Sequence, residues 1–386
     1  MSEKQLPARP SLEFLKKLAK ERLASIRAER PDAKLADAQL AVAREHGFAS
    51  WRALHEHVTR ATSAPSFDAR VNEEQVAAFF DAISRLDVEA VRTMLRATPV
   101  LANVPDTSGQ MPLHLAAERD SAELVTLLLS AGANPAAKFG NSAHTPLSWA
   151  LTVNSFNAAE ALTRAGVKPD LFCAAGLGDV EAVRSFFDER GRLKPGASQT
   201  GSSRFAPDGG RLPRPPTEPV EIVSDALYIA ARNGRAEVVR DLLGRDVDLS
   251  FRAYVGGTAL HWAYFSGSKE VIEMLIAAGA DPASRDDVFK CTPRAFAICV
   301  PANWGIAHKV EGWLREDPTL ARVNDGRGTP LHEAARGGQA RIAMILLLVG
   351  ADRAARDRDG KTASDLAREN GHVGIAELIE RVGSQD

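Results

Sequence analysis

Residues 329–352 read TPLHEAARGGQARIAMILLLVGAD, a pattern typical of two short helices joined by a glycine turn. Thr329 can cap the first helix, and Pro330 suits its first turn, where the missing N–H costs no hydrogen bond. The glycine pair at 337 and 338 ends that helix. In the second helix, apolar residues recur at helical spacing until Gly350. Neither helix can bury its apolar face alone, so the unit requires neighbours.

Five other stretches repeat this opening. They are MPLHLAA from Met111, HTPLSWAL from His144, GTALHWAY from Gly257, CTPRAFA from Cys291 and KTASDLA from Lys361. The step is 34 residues from position 111 to 145 and from 258 to 292, and 33 from 329 to 362. This period and the T-P-L-H-x-A opening resemble the ankyrin-repeat family. The resemblance implies an all-α fold, an ankyrin-repeat solenoid of about eight to nine helix pairs preceded by a small N-terminal helical segment.

Four segments are expected along the chain. They are an N-terminal helical extension (1–66), a first block of ankyrin repeats (71–190), a Gly/Pro/Arg-rich loop insertion (191–220) and a second block with a C-terminal cap (221–386). The extension resembles helical segments found ahead of ankyrin repeats in bacterial proteins. Residues 1–66 carry 12 basic and 8 acidic side chains, which favours a solvated face over a nucleic-acid contact. His55 and His57 lie two apart on a helix and point away from each other, so we expect no metal there.

The loop insertion shows no apolar period and carries a net charge of +3 over 191–219. Two interpretations remain open for it. It is either an ordered excursion that lies on the repeats, anchored by Phe205 and Leu212, or a disordered linker. Farther along, Pro301 is expected to end the inner helix of its repeat, since proline lacks the N–H that continues a helix. The large side chain of Trp304 then needs an apolar environment in which it can be buried.

Composition narrows the classes of function. The 386 residues carry a net charge of −2, so no overall field attracts nucleic acid or an anionic membrane, and we do not expect either partner. Three cysteines without metal-type spacing predict small core residues in a reducing compartment. No signal peptide or membrane span is evident. We therefore expect a cytoplasmic monomer, and the abundance of Ala and Arg hints at a bacterial source.

Histidine recurs at one position of the repeat, as His114, His261 and His332. A catalytic base is needed once, so the recurrence itself favours a structural role. The resemblance implies that each ring bonds to the turn backbone of the adjoining repeat. No catalytic residue, cofactor site or metal site is predicted.

The resemblance also implies a concave face built from the turns and inner helices. Residues expected there to bind a partner are Arg232, Arg252, Tyr254, Phe265, Phe289 and Arg336. Aromatic and arginine side chains dominate binding energetics, although these could instead pack against one another or under the loop. The leading hypothesis is a non-catalytic scaffold for a protein or peptide. The alternative is an enzyme or small-molecule binder beside the 191–220 loop, using His261, Tyr254, Cys299 or Asp225.

Overall fold

The computed structural model describes residues 12–30, 33–45, 50, 51, 54, 71–139, 144–206, 212 and 214–381. These residues form helices and turns, with one isolated antiparallel bridge between Phe187 and Leu193 and no β-strand in this part of the chain. The chain divides into two compact units, 1–79 and 80–386. The prediction of an all-α ankyrin-repeat solenoid is confirmed.

The N-terminal unit contains two long helices that pack against each other, α1 (Leu12–Glu29) and α2 (Leu35–Glu45). A small core of Leu15, Val42 and Leu54 holds them together. The sequence predicts both helices from their apolar period. The histidines at 55 and 57 and the linker at 61–67 lie outside the described residues.

Nine pairs of successive helices follow in the described residues, and the first of them, α3, crosses the boundary between the two units. They are α3 (Glu73–Ser84), α4 (Val88–Ala97), α5 (Pro112–Glu118), α6 (Ala122–Ser130), α7 (Pro146–Thr152), α8 (Phe156–Arg164), α9 (Leu171–Leu177), α10 (Val180–Ser185), α11 (Pro219–Arg232), α12 (Ala236–Leu243), α13 (Ala259–Ser266), α14 (Lys269–Ala277), α15 (Pro293–Trp304), α16 (Ala307–Glu316), α17 (Pro330–Arg336), α18 (Ala340–Leu348), α19 (Ala363–Glu369) and α20 (Val373–Arg381). The odd-numbered helices from α5 to α19 are the inner helices, and the even-numbered ones are the outer helices.

Each inner helix from α5 to α19 packs against the next, including α9 against α11 across the loop insertion. Gly176 makes this contact close. A Cβ added there would lie 3.1 Å from Ile229 Cγ1 and 3.2 Å from Leu151 Cδ1, tighter than side chains normally tolerate. The loop leaves and re-enters between α10 and α11, so the stack continues even though the sequence spacing slips.

The unit that begins at Thr329 folds as its sequence predicts. The Thr329 side chain accepts a hydrogen bond from the His332 N–H, and the ring of His332 accepts one from the Thr329 N–H at 3.1 Å, which together form a capping box. Helix α17 ends at Gly337, and α18 runs to Leu348. Reciprocal capping satisfies two N–H groups that the first turn would otherwise leave without a partner.

The expectation that Pro301 ends its helix is wrong. Helix α15 continues through Pro301 to Trp304 and ends at Gly305, whose φ is +82°. A proline removes one hydrogen bond, but the extra turn brings the Trp304 ring to 5.9 Å from Phe265 and 6.2 Å from Trp262. Burial of a large aromatic ring offsets the loss of one hydrogen bond.

Candidate functional site

The recurring histidines join neighbouring repeats. The Nε2 of His114 donates to the main-chain oxygen of His144 at 3.0 Å, and His332 donates to Lys361 at 3.0 Å. His261 donates to Cys291 at 3.1 Å. Because a carbonyl only accepts, the proton lies on Nε2, and burial lowers the pKa of His261 to about 4. These rings are neutral at pH 7, and the predicted structural role is confirmed.

The described part of the loop insertion lies on the repeats, held by two carboxylates. Asp170 Oδ2 accepts hydrogen bonds from the N–H groups of Gln199 and Thr200, each at 2.8 Å. Asp225 Oδ2 accepts one from the Ser202 N–H at 2.9 Å, and Asp225 Oδ1 accepts another from the Ser202 hydroxyl. A loop that rests on a protein surface needs partners for its backbone N–H groups, and the two carboxylates supply them.

Phe205 is one of the two side chains expected to anchor this segment. Half of its surface is exposed, whereas Thr200, Ser202 and Arg204 are buried. Thr200 and Ser202 therefore hold the segment through polar contacts with the repeats that the sequence does not predict. The remaining predicted anchor, Leu212, is partly buried and donates its N–H to the Arg204 main-chain oxygen at 3.1 Å.

A cavity of about 990 Å³ lies beside this segment. Its walls come from three parts of the solenoid: the third repeat, the loop insertion and the second block. The lining residues include Trp149 and Thr152 from the third repeat, Phe205 and Arg214 from the loop, and Arg232, Arg252, Tyr254, Phe265, Asp287, Trp304, His308 and Lys309 from the second block. Cavities of up to about 1,000 Å³ are the size in which proteins bind small molecules.

Aromatic rings form much of the wall. The Tyr254 ring lies 6.1 Å from Trp304 and 6.1 Å from Trp262. Trp304 and Tyr254 are only partly buried, as is Trp149 on the opposite block. Partly buried aromatic rings around a recess offer flat apolar surface to a bound group.

Arg232 is the most buried cation of the cavity, with 5% of its surface exposed. Its Nε donates to the main-chain oxygen of Thr152 at 2.8 Å, and its guanidinium lies 4.1 Å from the Trp262 ring centre and 5.0 Å from that of Phe265. The Nη1 atom is buried and has no hydrogen-bond partner among the described residues. Burial lowers the pKa of Arg232.

Lys309 approaches the same aromatic ring. Its Nζ donates to the Phe265 main-chain oxygen at 2.7 Å and lies 4.6 Å from the Phe265 ring centre. Burial, followed by repulsion from Arg232, lowers the pKa of Lys309 to about 8. Within the described part of the chain, neither cation forms an ion pair with a carboxylate.

Four of the six predicted partner-binding residues line this cavity: Arg232, Arg252, Tyr254 and Phe265. Phe289 lies behind the wall, 2% exposed, with its ring 6.3 Å from Trp304. Arg336 lies elsewhere and forms ion pairs with Glu333 and Asp357 at 2.7 and 2.6 Å. Contact of these six residues with a partner stays a prediction.

Sequence reasoning missed Lys309 and Trp149. Lys309 belongs to an outer helix, where a lysine ordinarily faces solvent, and no pattern in the sequence marks it. Trp149 carried a signal, because it occupies the same position of the repeat as Trp262, four residues after the threonine that opens each inner helix.

Two of the residues named for the enzyme alternative, His261 and Cys299, are placed for a structural role: the first is held by hydrogen bonds and the second is an unreactive thiol. His261 is held by Cys291 and Thr258, as described above. A hydrogen bond with Cys291 and burial raise the pKa of the Cys299 thiol well above its ordinary value, which keeps it protonated. Among the residues that the structure describes, no three His, Cys, Asp or Glu side chains are placed to hold a metal ion. None of the helices in these residues is long and apolar enough to cross a membrane.

Three curated relatives illustrate what the chain is similar to. Palmitoyltransferase AKR1 from Lachancea kluyveri is 29% identical over 40% of this chain and 25% of its own length. Tyrosine-protein kinase HTK16 from Hydra vulgaris is 30% identical over 40% of this chain and 20% of its own length. Ankyrin repeat and SOCS box protein 11 from Danio rerio is 28% identical over 43% of this chain and 42% of its own length. The chain spans less than half of each relative.

The sequence profile described as "Ankyrin repeats (3 copies)" matches residues 79–173 and 218–286, and the profile "Ankyrin repeat" matches residues 328–358. Together they cover about half of the chain and leave out residues 191–217 of the loop insertion. The matched residues include six of the helix pairs in whole or in part, α3–α4, α5–α6, α7–α8, α11–α12, α13–α14 and α17–α18, and the bridging histidines His114, His261 and His332. The chain belongs to the ankyrin-repeat family.

Proposed function

We propose that the chain is a non-catalytic scaffold that binds a protein or peptide on the concave face of its solenoid. The observation that carries the proposal is the recess beside the loop, where Tyr254, Trp304 and Arg252 remain accessible on the inner-helix side of a stacked array. Such a surface is preformed, so binding costs little ordering of the scaffold. Partly exposed aromatic and arginine side chains are the residues that most often anchor a partner.

The expected location, oligomeric state and source of the protein are part of this proposal. A cytoplasmic location, a monomeric state, a bacterial source and the absence of nucleic-acid binding stay predictions from composition and charge. The division at residues 66, 190 and 220 also stays a prediction. Catalysis is not proposed, because the nucleophile and base candidates Cys299 and His261 are held in the core as a thiol and a neutral ring.

Affinity capture from the native host, followed by titration with the purified partner, tests the scaffold. Changing Tyr254 to Ala removes an anchor and is expected to weaken binding about 30-fold, which corresponds to about 2 kcal/mol. Tyr264 provides the matched control, since it lies against Trp313 and does not line the cavity. Equal affinity of both variants for the partner contradicts the proposed surface.

A second candidate, binding of a small molecule beside the loop, is favoured by the cavity itself. Its volume of about 990 Å³ and its aromatic wall suit a ligand of several rings. The neutral bicyclic probe 2-naphthamide tests this candidate by calorimetry. Binding at one site per chain supports a small-molecule cavity, whether or not the scaffold has a protein partner.

A further inference from the structure

Two cations of the cavity wall have no carboxylate partner among the residues that the structure describes. Arg232 and Lys309 both lie within 5.0 Å of the Phe265 ring centre. Their remaining contacts in the described part of the chain are main-chain oxygens, aromatic rings and, for Arg232, the Tyr228 hydroxyl. A buried charge without an opposite charge is expensive, and two such charges near each other also repel. The arrangement is therefore incomplete as it stands.

The other charges of the wall do not correct this imbalance. Asp287 is the carboxylate that lines the cavity among the described residues, and it pairs with Arg252 at 3.3 Å. Asp225 is committed to Ser202 of the loop. The net charge presented to a bound group is thus positive, and it is concentrated at Arg232 and Lys309.

A buried hydrogen-bond donor without a partner also favours a bound anion. The Nη1 of Arg232 has no hydrogen-bond partner among the described residues, although the side chain is 95% buried. A buried donor without a partner costs about 1–3 kcal/mol, more for a charged group. A carboxylate that reached this guanidinium would satisfy the donor and neutralise the charge together.

The remainder of the cavity is suited to an apolar body. Tyr254 and Trp304 form one partly exposed wall, with ring centres 6.1 Å apart, and Trp149 contributes from the third repeat. Flat rings of this kind stack on a planar ligand. The cavity is far larger than a bare carboxylate needs, so the charge must belong to a larger molecule.

We propose that this cavity binds a small aromatic carboxylate, with its charge at Arg232 and Lys309 and its rings against Tyr254 and Trp304. The inference deepens the small-molecule candidate and does not depend on a protein partner.

Two probes of one shape test the assignment by isothermal titration calorimetry. They are 2-naphthoate, a carboxylate, and 2-naphthamide, its neutral counterpart. We expect 2-naphthoate to bind at one site per chain and 2-naphthamide to bind at least tenfold more weakly. Equal affinity for both probes overturns the charge assignment but leaves a small-molecule cavity. If neither probe binds, both the charge assignment and the small-molecule cavity are wrong.

Substitutions of Lys309 test whether the carboxylate probe binds in this cavity. Lys309→Met removes one charge and is expected to weaken 2-naphthoate about tenfold without changing the affinity for 2-naphthamide. Lys309→Arg keeps the charge and should retain the affinity within about threefold. Lys269→Met is the matched control, because Lys269 is an exposed lysine on α14 paired with Glu316 at 3.0 Å. An unchanged affinity in Lys309→Met, with the fold verified by circular dichroism, overturns the proposal.

A peptide probe distinguishes binding of a small carboxylate from binding of a segment of a partner protein. The probe acetyl-Asp-Trp-Asp-amide carries an aromatic ring and carboxylates on a peptide backbone. If it binds and 2-naphthoate does not, the cavity holds a segment of a protein. That result overturns the small-carboxylate proposal and leaves the scaffold function standing.

Discussion

Arg232 Nε donates to the main-chain oxygen of Thr152 at 2.8 Å and so joins the last residue of α11 to the last residue of α7. The two residues lie 80 positions apart, on opposite sides of the loop insertion. The final carbonyls of a helix have no partner within it, and a side chain from the neighbouring helix satisfies this one. The two blocks are therefore bonded directly where the cavity forms.

Asn233 extends the same junction and provides the first prediction. Its Nδ2 donates to the main-chain oxygens of Leu151 at 3.2 Å and Gly176 at 3.1 Å. We expect Asn233→Ala to lower the free energy of unfolding by about 2–3 kcal/mol, because two carbonyls lose a donor. Asn157→Ala is the control, since Asn157 makes an exposed bond to Asp120. Urea unfolding measures both, and equal effects contradict the prediction.

Because His261 joins two neighbouring repeats, we expect its removal to lower the free energy of unfolding. His261→Ala removes the bond to Cys291 and leaves a space in the core, so we expect a loss of about 3 kcal/mol in urea unfolding. His308→Ala changes an exposed histidine of the cavity wall and should cost less than about 0.5 kcal/mol. A smaller effect at 261 than at 308 would show that the bridge does not support the stack.

A buried acid between two arginines predicts a larger cost. Glu333 is 1% exposed and bonds to Arg327 at 2.6 Å and to Arg336 at 2.7 Å. Glu333→Gln leaves Arg327 without its counter-charge and leaves Arg336 paired with Asp357 alone, so we expect a loss of about 3–5 kcal/mol. Glu311→Gln breaks the exposed pair with Arg341 and should cost about 1 kcal/mol or less. Thermal unfolding of the two variants at pH 7 makes the comparison.

Burial of Asp225 predicts a dependence on pH. Burial raises the pKa of this carboxyl from 3.8 to about 6, so the folded chain binds its proton more tightly than the unfolded chain. Stability from this group is therefore present below about pH 4 and is lost as pH rises to about 6. Asp225→Asn cannot titrate, so its stability relative to the wild type should improve by about 1–3 kcal/mol from pH 4 to pH 7. Urea unfolding at both pH values checks this, and a difference independent of pH contradicts it.

The repeat pattern predicts most of the fold but little of the cavity. The Thr329 cap and the His261 bridge recur at fixed spacing, so local chemistry repeated along the chain identifies them. The cavity depends on contacts without such a period. Asp225 holds Ser202 from 23 positions away, and α15 continues past Pro301 to Trp304, whose ring lies among aromatic neighbours. Tertiary packing decides these features, and no local pattern in one sequence encodes them.

Lys309 connects the stability of the solenoid with its proposed ligand. Its pKa is lowered from 10.5 to about 8, so the unfolded chain holds the proton more tightly and the charged lysine destabilises the folded state below about pH 8. Stability from this group rises as pH increases from about 8 to about 10.5. We expect Lys309→Met to be about 2 kcal/mol more stable than the wild type at pH 7, after allowance for the lost bond to Phe265, and to lose this advantage by about pH 10.5.

The stability advantage of Lys309→Met should shrink when a bound anion uses the lysine charge. Saturating 2-naphthoate stabilises the form that binds it, and a tenfold difference in affinity corresponds to about 1.4 kcal/mol in favour of the wild type. Differential scanning calorimetry at pH 7, with and without the probe, measures both effects in one experiment. A lysine that is retained for packing alone would give the wild type no gain from the probe relative to Lys309→Met. A larger gain in the wild type and Lys309→Arg than in Lys309→Met would show that the destabilising charge binds an anion.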